Sequence, residues 1–326
     1  PGQSLMPIGL RGVGKTVLLN RFIEEARALG AHAVLIEAPE DGNLRQLLAR
    51  EARRVLLQLD RAGALSQAVK RALRVFKSFS ITVGPDGSLS AGVDVDAEVG
   101  AADSGDLADD VTDLFVALGE AAKDRRTALV MAIDELQYLS EDELGALIMA
   151  IHRTTQLQLP VVLVGAGLPQ LPGLAGNAKS YAERLFTFPG ICALARDEGR
   201  LAVTRPAEAA GVRVEAAAVD AILDHTHGYP YFLQEWAYET WNVAAGDSIH
   251  LVDVEHAAPR VIEKLDTHFF RVRFDRLTPT EKKYLRAMAE LGSGPHRSGE
   301  IAREYGAKVE SVGPMRRSVA EIWYRA

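Results

Sequence analysis

This chain of 326 residues has a single cysteine, no long apolar run and no excess of positive charge. Cys192 is the one cysteine, which excludes an internal disulfide framework and a zinc site built from several cysteines. A lone thiol is typical of a reducing compartment, so we expect a cytoplasmic protein. No apolar segment approaches the roughly 20 residues of a membrane-spanning helix, so we expect no membrane partner. The net charge of −7 excludes a polycation that coats nucleic acid over its whole surface.

Charge is distributed unevenly, in a composition that is otherwise ordinary for a globular protein of two or three domains. Residues 271–326 contain 12 lysines and arginines against 7 acidic residues, a balance of +5, whereas the preceding residues carry −12. This asymmetry favours a small basic module attached to an acidic body. Chance variation among the surfaces of small domains is the alternative.

Strand-like and helical patterns alternate in the first half of the chain. Four apolar segments of strand length occur at Ser4–Ile8, Ala31–Ile36, Ala128–Ile133 and Pro160–Val164. Helical periodicity lies between them, at Thr16–Leu29, Leu44–Leu59, Asp106–Lys123 and Glu141–Gln156. This alternation predicts an α/β fold, a parallel sheet with helices on both faces. One interruption is predicted, a β-hairpin inserted at about residues 79–96 around the turn Gly84–Gly87.

Beyond about residue 190 the sequence predicts helices and no strands. The helical segments are Glu215–Thr226, Tyr229–Ala244, Val252–Asp266, Thr278–Leu291, Ser298–Tyr305 and Val309–Ile322. Gly306 separates the last two segments, a spacing typical of a helix-turn-helix. A start of the last helix at Gly313 and Pro314 is the alternative to Val309, because proline is favoured in a first helical turn.

A complete phosphate-binding motif lies near the start of the chain. GLRGVGKT, from Gly9 to Thr16, matches G-x-x-x-x-G-K-[ST], follows a strand and opens a helix, the context that this pattern requires. Glycines let backbone N–H groups surround phosphates, and the helix N-terminus adds positive potential. We expect Lys15 to reach the β- and γ-phosphates of a nucleotide and the Thr16 hydroxyl to ligate Mg²⁺. The predicted nucleotide contacts are Gly9, Leu10, Arg11, Gly12, Val13, Gly14, Lys15, Thr16 and Val17.

Two acids, Asp134 and Glu135, directly follow the apolar segment ALVMAI. Acids at this point lie at the carboxyl edge of the sheet, where open α/β folds bind their ligands. Asp134 is predicted to hold Mg²⁺ together with Thr16. Glu135 is predicted to be the base that orients and polarises an attacking water.

Together, GLRGVGKT, ALVMAIDE and the later Gly228–Tyr229–Pro230 resemble the AAA+/STAND class of P-loop ATPases. Within this class the chain is most similar to bacterial and archaeal ATPases related to origin-recognition initiators, over nearly its whole length. The resemblance implies ATP, a five-stranded parallel core at residues 1–190, a helical lid at 191–270 and a winged helix-turn-helix at 271–326. Because the chain stops at Ala326, where a wing hairpin should follow, we expect this last domain to be truncated.

Pro230 and Arg184 are further site residues that the resemblance implies. In STAND lids the proline of the G-x-P element packs near the adenine, although Pro230 also suits a plain helix start. Arg184 lies where related ATPases carry an arginine that reaches the γ-phosphate of a neighbouring subunit, which implies self-association on ATP binding. A solvated helix arginine is the alternative.

Departures from the family pattern bear on activity. The fourth strand runs into Gly165–Ala166–Gly167, without the Asn, Ser or Thr with which many relatives sense the γ-phosphate, and Gln170 is the nearest polar residue. No lid arginine follows the G-x-P element at the usual position. These departures favour a slowly hydrolysing ATP switch. The alternatives are an ATP-controlled initiator or loader that binds duplex DNA through Lys308, Arg316 and Arg317, and a non-catalytic ATP-bound scaffold.

Overall fold

The computed structural model of the chain describes residues 4–38, 40, 43–60, 66–83, 95–292 and 294–325. The chain divides into a first unit, Pro1–Ile191, and a second unit, Cys192–Ala326. Whether the second unit divides again near residue 270 stays a prediction. None of the described helices combines the length and the apolar composition that crossing a lipid bilayer requires.

A five-stranded parallel sheet organises the first unit, in the order β2-β3-β4-β1-β5. Its strands are β1 (Ser4–Leu5), β2 (His32–Glu37), β3 (Leu129–Asp134), β4 (Val161–Gly165) and β5 (Phe186–Thr187). The four predicted strands are confirmed, and so is the parallel arrangement. β1 is shorter than predicted because Pro7 cannot donate to a strand ladder, and Ile8 forms only isolated bridges. β5 is a two-residue edge strand, too short to show a pattern of its own.

Helices cover both faces of this sheet, as predicted. The helices of the first unit are α1 (Lys15–Ala28), α2 (Leu44–Asp60), α3 (Gln67–Val83), α4 (Leu107–Asp124), α5 (Glu141–Gln156), α6 (Leu171–Ala178) and α7 (Ala182–Leu185). On one face, Leu19 and Ile23 of α1 pack against Ala132 and Val164 of the central strands. The other face carries a larger core, to which α2 to α6 contribute. The sheet therefore lies between two packed layers of helices, which fix the positions of the loops at its ends.

The predicted hairpin at residues 79–96 is wrong in its first strand. Residues 79–83 are the end of α3, in which Phe76 and Phe79 are fully buried and share a helical face with Val69. The β-branched residues of this segment suggested a strand, but burial of the aromatic face against the core determines a helix. Residues 84–94, including the predicted turn, lie outside the described residues, and Val95 and Asp96 are not in a strand.

The second unit is mainly helical. Its helices are α8 (Arg196–Ala209), α9 (Ala216–Thr226), α10 (Pro230–Val243), α11 (Leu251–Leu265), α12 (Val272–Phe274), α13 (Pro279–Glu290), α14 (Ser298–Tyr305) and α15 (Val309–Arg325). Two short strands, β6 (Arg213–Val214) and β7 (Ser248–Ile249), pair in parallel. The expectation that strands stop near residue 190 is therefore wrong, because strands of two residues leave no periodic signal. One apolar cluster surrounds Trp236, and a separate cluster surrounds Tyr284.

The last helix begins at Val309, as the predicted segment Val309–Ile322 has it. The alternative start at Gly313 and Pro314 is wrong, because Pro314 lies inside α15. Val312 is fully buried and Val319 is nearly so, and both belong to the same apolar cluster. Packing of Val312 holds the turn before Pro314 in helical form even though proline removes one backbone hydrogen bond.

Candidate nucleotide-binding site

The predicted phosphate loop connects β1 to α1, and its glycines have identifiable geometric roles. Gly12 and Gly14 adopt left-handed backbone conformations, with φ of 81° and 94°. A Cβ atom on Gly9 would lie 2.3 Å from the carbonyl oxygen of Ile191, so only glycine fits there. Gly14 is the N-cap of α1 and offers no side-chain acceptor, so no side-chain cap occupies the start of α1. Such an N-terminus is suited to bind an anion.

Lys15 is the buried cation of this loop, only 5% exposed. Its Nζ donates hydrogen bonds to the carbonyl oxygens of Gly9 (3.1 Å) and Leu10 (3.0 Å). Burial lowers the pKa of Lys15, while the charges of Glu135 and Asp134 act in the opposite direction. The ammonium group is therefore held over the loop by the backbone of the loop itself.

Thr16 and Asp134 come from different elements and meet at the carboxyl edge of the sheet. The Thr16 hydroxyl donates to Asp134 Oδ2 at 2.5 Å, although the two residues are 118 positions apart. Asp134 is the last residue of β3 and is 4% exposed, and its Oδ1 accepts the backbone N–H of Glu135 at 2.8 Å. Hydroxyl and carboxylate oxygens are ligands that Mg²⁺ prefers, so this pair beside an uncapped helix start fits a Mg²⁺-bound phosphate.

Glu135 faces a cavity of about 400 Å³ next to the loop. The residues around the cavity are Arg11, Glu37, Ala38, Glu40, Glu135 and Tyr138. Arg11 donates a hydrogen bond to the Tyr138 hydroxyl. Burial raises the pKa of Tyr138, and a hydrogen bond to Glu40 acts in the same direction. The cavity therefore has the predicted base on its wall and a cation of the phosphate loop beside it.

The structure adds two residues that the sequence analysis missed. Gln137 and Tyr138 belong to a single 3₁₀ turn, Leu136–Tyr138, that directly follows Glu135. Gln137 donates a hydrogen bond to Glu135, and Tyr138 contacts Arg11 as described. Their position immediately after the acid pair was the available signal, since residues there remain at the carboxyl edge of the sheet.

The loop after β4 contains no polar side chain at the expected sensor position. A Cβ atom on Gly165 would lie 2.2 Å from Leu136 Cδ1, so a side chain there would require the fully buried Leu136 to move. Gln170, the nearest polar residue in the sequence, is exposed at the start of α6. Leu136 thus packs closely against the loop at the point where a sensor side chain was expected.

Arg184 and Pro230 stay predictions. Arg184 is exposed in the short helix α7, just before β5. Pro230 is the first residue of α10 and lies in the second unit. It follows Gly228, whose φ of 73° and whose close approach to the Leu194 carbonyl both require glycine. The residues around Pro230 thus form the closely packed start of helix α10.

Comparison with solved structures finds similar chains of low sequence identity. The chain is similar to the Aeropyrum pernix Orc1 protein in complex with DNA (15% identity, TM-score 0.49, 99% of this chain and 78% of that chain). It is also similar to the Thermotoga maritima RuvB Holliday junction branch migration motor (16%, 0.47, 95% and 76%). Pyrobaculum aerophilum Cdc6p is a third such structure (15%, 0.46, 98% and 81%). No curated protein matches the chain.

Comparison with protein families gives two matches. Residues 267–321 match a domain of unknown function (DUF8462). Residues 2–171 match the AAA domain, and this stretch contains the phosphate loop, the sheet strands β1 to β4 and the acid pair at the end of β3. Since the second match covers just over half of the chain, the chain belongs to the AAA domain family, whose members are P-loop ATPases.

Proposed function

We propose that the chain binds Mg·ATP at Gly9–Val17 and hydrolyses it slowly. In this proposal the protein is a cytoplasmic STAND-type switch, in which the nucleotide state sets the position of the helical second unit. The observation that carries this proposal is the meeting of Thr16 and Asp134 at the uncapped start of α1. Buried Lys15 and the cavity beside Glu135 lie at the same edge of the sheet. These are the groups that phosphoryl transfer to water requires in one place.

Each side chain has a separate role in this proposal. Lys15 and the backbone N–H groups of the loop bind the β- and γ-phosphates. Thr16 and Asp134 hold Mg²⁺, which supplies positive charge to the phosphate oxygens. Glu135 accepts the proton of the attacking water. Pro230 near the adenine and Arg184 reaching a second copy of the chain are the further contacts of the proposed switch.

Slow hydrolysis is supported by the loop after β4. Gly165 and Gly167 flank a buried alanine there, and none of the three residues has a side chain that could hydrogen-bond to a γ-phosphate. A group that stabilises charge in the transition state typically contributes several kcal/mol, so its absence lowers the rate.

Binding and turnover of ATP test the proposal directly. We expect the full chain to bind Mg·ATP by calorimetry, more tightly than Mg·GTP, with single-turnover hydrolysis slower than about 1 s⁻¹. Omission of Mg²⁺ should weaken binding, because Thr16 and Asp134 then have no cation to share with the phosphates. A chain that binds no ATP in Mg²⁺ contradicts the proposal. Binding without turnover leaves the non-catalytic scaffold.

Binding of duplex DNA is a second candidate function, and the C-terminal helices favour it. α14 and α15 are joined through Gly306, which is left-handed with φ of 79°. Lys308, Arg316 and Arg317 are exposed on or next to α15. In the described part of residues 276–325 the one ion pair joins Arg286 and Glu290. Arg316 donates a hydrogen bond to the Ser298 hydroxyl at 3.0 Å, which leaves its positive charge unpaired with any carboxylate of these described residues and able to contact a phosphate.

Charge reversal tests DNA binding. The double variant Arg316→Glu/Arg317→Glu should lower affinity for nonspecific duplex DNA at least about 10-fold at low salt. It should also reduce the slope of log affinity against log salt by about two, since each phosphate contact contributes about 0.9. Lys123→Glu/Arg205→Glu is a control with the same change of net charge at exposed helix positions of residues 1–270. If the unmodified chain binds no duplex even at low salt, the C-terminal helices are a latch within the protein.

A further inference from the structure

Gln137 has hydrogen bonds at both ends of its side-chain amide. Its Nε2 donates to Glu135 Oε2, and its Oε1 accepts the backbone N–H of Leu168 at 3.1 Å. Leu168 belongs to the loop after β4, so one amide connects the acid pair of β3 to the neighbouring strand end.

The loop after β4 is shaped around this amide. A Cβ atom on Gly167 would lie 2.9 Å from Gln137 Oε1, so glycine leaves the room that the amide occupies. The same Gly167 donates to the carbonyl of Pro7 at 3.1 Å and accepts the N–H of Gly9 at 3.2 Å. Gln137 is therefore anchored to a backbone segment that is itself bonded to the start of the phosphate loop.

This anchoring has a chemical consequence for Glu135. A glutamate side chain has three rotatable bonds, and a half-buried one beside a cavity of about 400 Å³ has several rotamers open to it. A donor fixed on the loop after β4 selects the rotamers that place Oε2 against Gln137. It leaves Oε1 to accept a proton from water. Misplacement of a reacting group by about 1 Å can reduce a rate about 10²-fold.

We propose that Gln137 is the positioning residue of the ATPase reaction: its amide holds Glu135 at a fixed distance from the phosphate loop. The inference rests on the proposed role of Glu135 as the base. It assigns to Gln137 the connection between the end of β3 and the loop after β4, where this chain has no polar side chain of its own.

Two substitutions of Gln137 separate positioning from loop anchoring. Gln137→Met has similar length and removes both hydrogen bonds. Gln137→Glu keeps an acceptor for the Leu168 N–H but replaces the donor to Glu135 by a second carboxylate. We expect both variants to lower the single-turnover rate about 10²-fold, with Mg·ATP affinity by calorimetry changed less than about 2-fold. Gln156→Met, at the exposed end of α5, is the matched control and should hydrolyse at the unmodified rate.

A double variant tests whether Gln137 acts through Glu135. In a Glu135→Gln background, Gln137→Met should change the residual rate less than about 2-fold, because residues that act as a unit are not additive. Full activity of Gln137→Met, full activity of Gln137→Glu, or an equal loss of ATP affinity would each overturn the inference. If Glu135→Gln is slow but Gln137→Met is not, the inference alone fails. If the unmodified chain binds ATP without turnover, the proposed hydrolysis fails together with it.

Discussion

Lys15→Ala is expected to weaken Mg·ATP binding by about 10²–10³-fold and to leave the fold intact. Lys15 is 5% exposed and already oriented by two backbone carbonyls of the loop, so its charge meets the phosphates with little reorganisation. Truncation of one partner of a desolvated charge pair costs about 2–5 kcal/mol, and about 1.4 kcal/mol corresponds to a factor of ten. Calorimetry with Mg·ATP measures the loss.

Folding must be checked alongside binding in this experiment. Thermal unfolding of Lys15→Ala should resemble that of the unmodified chain, because the sheet core does not depend on this ammonium group. Lys123→Ala, an exposed cation in the last turn of α4, is the matched control and should bind Mg·ATP normally. Unchanged ATP affinity in a folded Lys15→Ala protein would remove the phosphate loop from the proposed function.

Glu135→Gln should abolish most hydrolysis and preserve binding. Glutamine keeps the size of glutamate but cannot accept the proton of water, and removal of a general base typically reduces a rate by about 10²–10⁴-fold. This loss corresponds to roughly 3–5 kcal/mol of activation barrier. Because Glu135 lines the cavity and is proposed to contact the attacking water and not the phosphates, Mg·ATP affinity should change less than about 3-fold. Single-turnover hydrolysis beside calorimetry measures both quantities.

Substitution of the neighbouring acid, Asp134, should give a different result from Glu135→Gln, and this difference distinguishes the base from the metal ligand. Asp134→Asn should weaken the Mg²⁺-dependent part of ATP binding as well as turnover, because Asp134 meets Thr16 at the proposed metal position. Glu141→Gln, at the exposed start of α5, repeats the same chemical change outside the site and should hydrolyse normally. Turnover at the unmodified rate in Glu135→Gln would exclude this residue from the mechanism.

Local sequence was sufficient for the parts of the site that one segment builds alone. The turn from β1 through Gly14 into α1 requires glycines and a helix start within a few residues, so the pattern could be recognised without a fold. The end of β3 could be predicted for a similar reason. A fully apolar run indicates a strand of the buried sheet, and the acids that follow it mark where this strand ends. The start of α1 and the end of β3 therefore lie within one residue of their predicted positions, while the roles of their side chains stay predictions.

Contacts between distant segments could not be predicted in this way. Gln137 meets a backbone N–H that is 31 positions away, and Tyr138 meets Arg11 across 127 positions. A single glutamine or tyrosine just after an acid pair forms no sequence pattern from which such a distant partner could be predicted. The hairpin prediction failed for the opposite reason: the β-branched end of α3 has a clear local preference, and the aromatic core overrides it.

The backbone at Glu135 has a consequence for protein engineering. With φ of 53° and ψ of 40°, this residue occupies the left-handed region, which costs an ordinary L-residue roughly 1 kcal/mol and costs glycine almost nothing. The position to which we assign proton transfer is therefore one where thermal stability and activity favour different amino acids. A selection for heat resistance alone would favour glycine there and yield a stable protein without its base. Stabilised variants of this chain should accordingly be sought with residue 135 held constant.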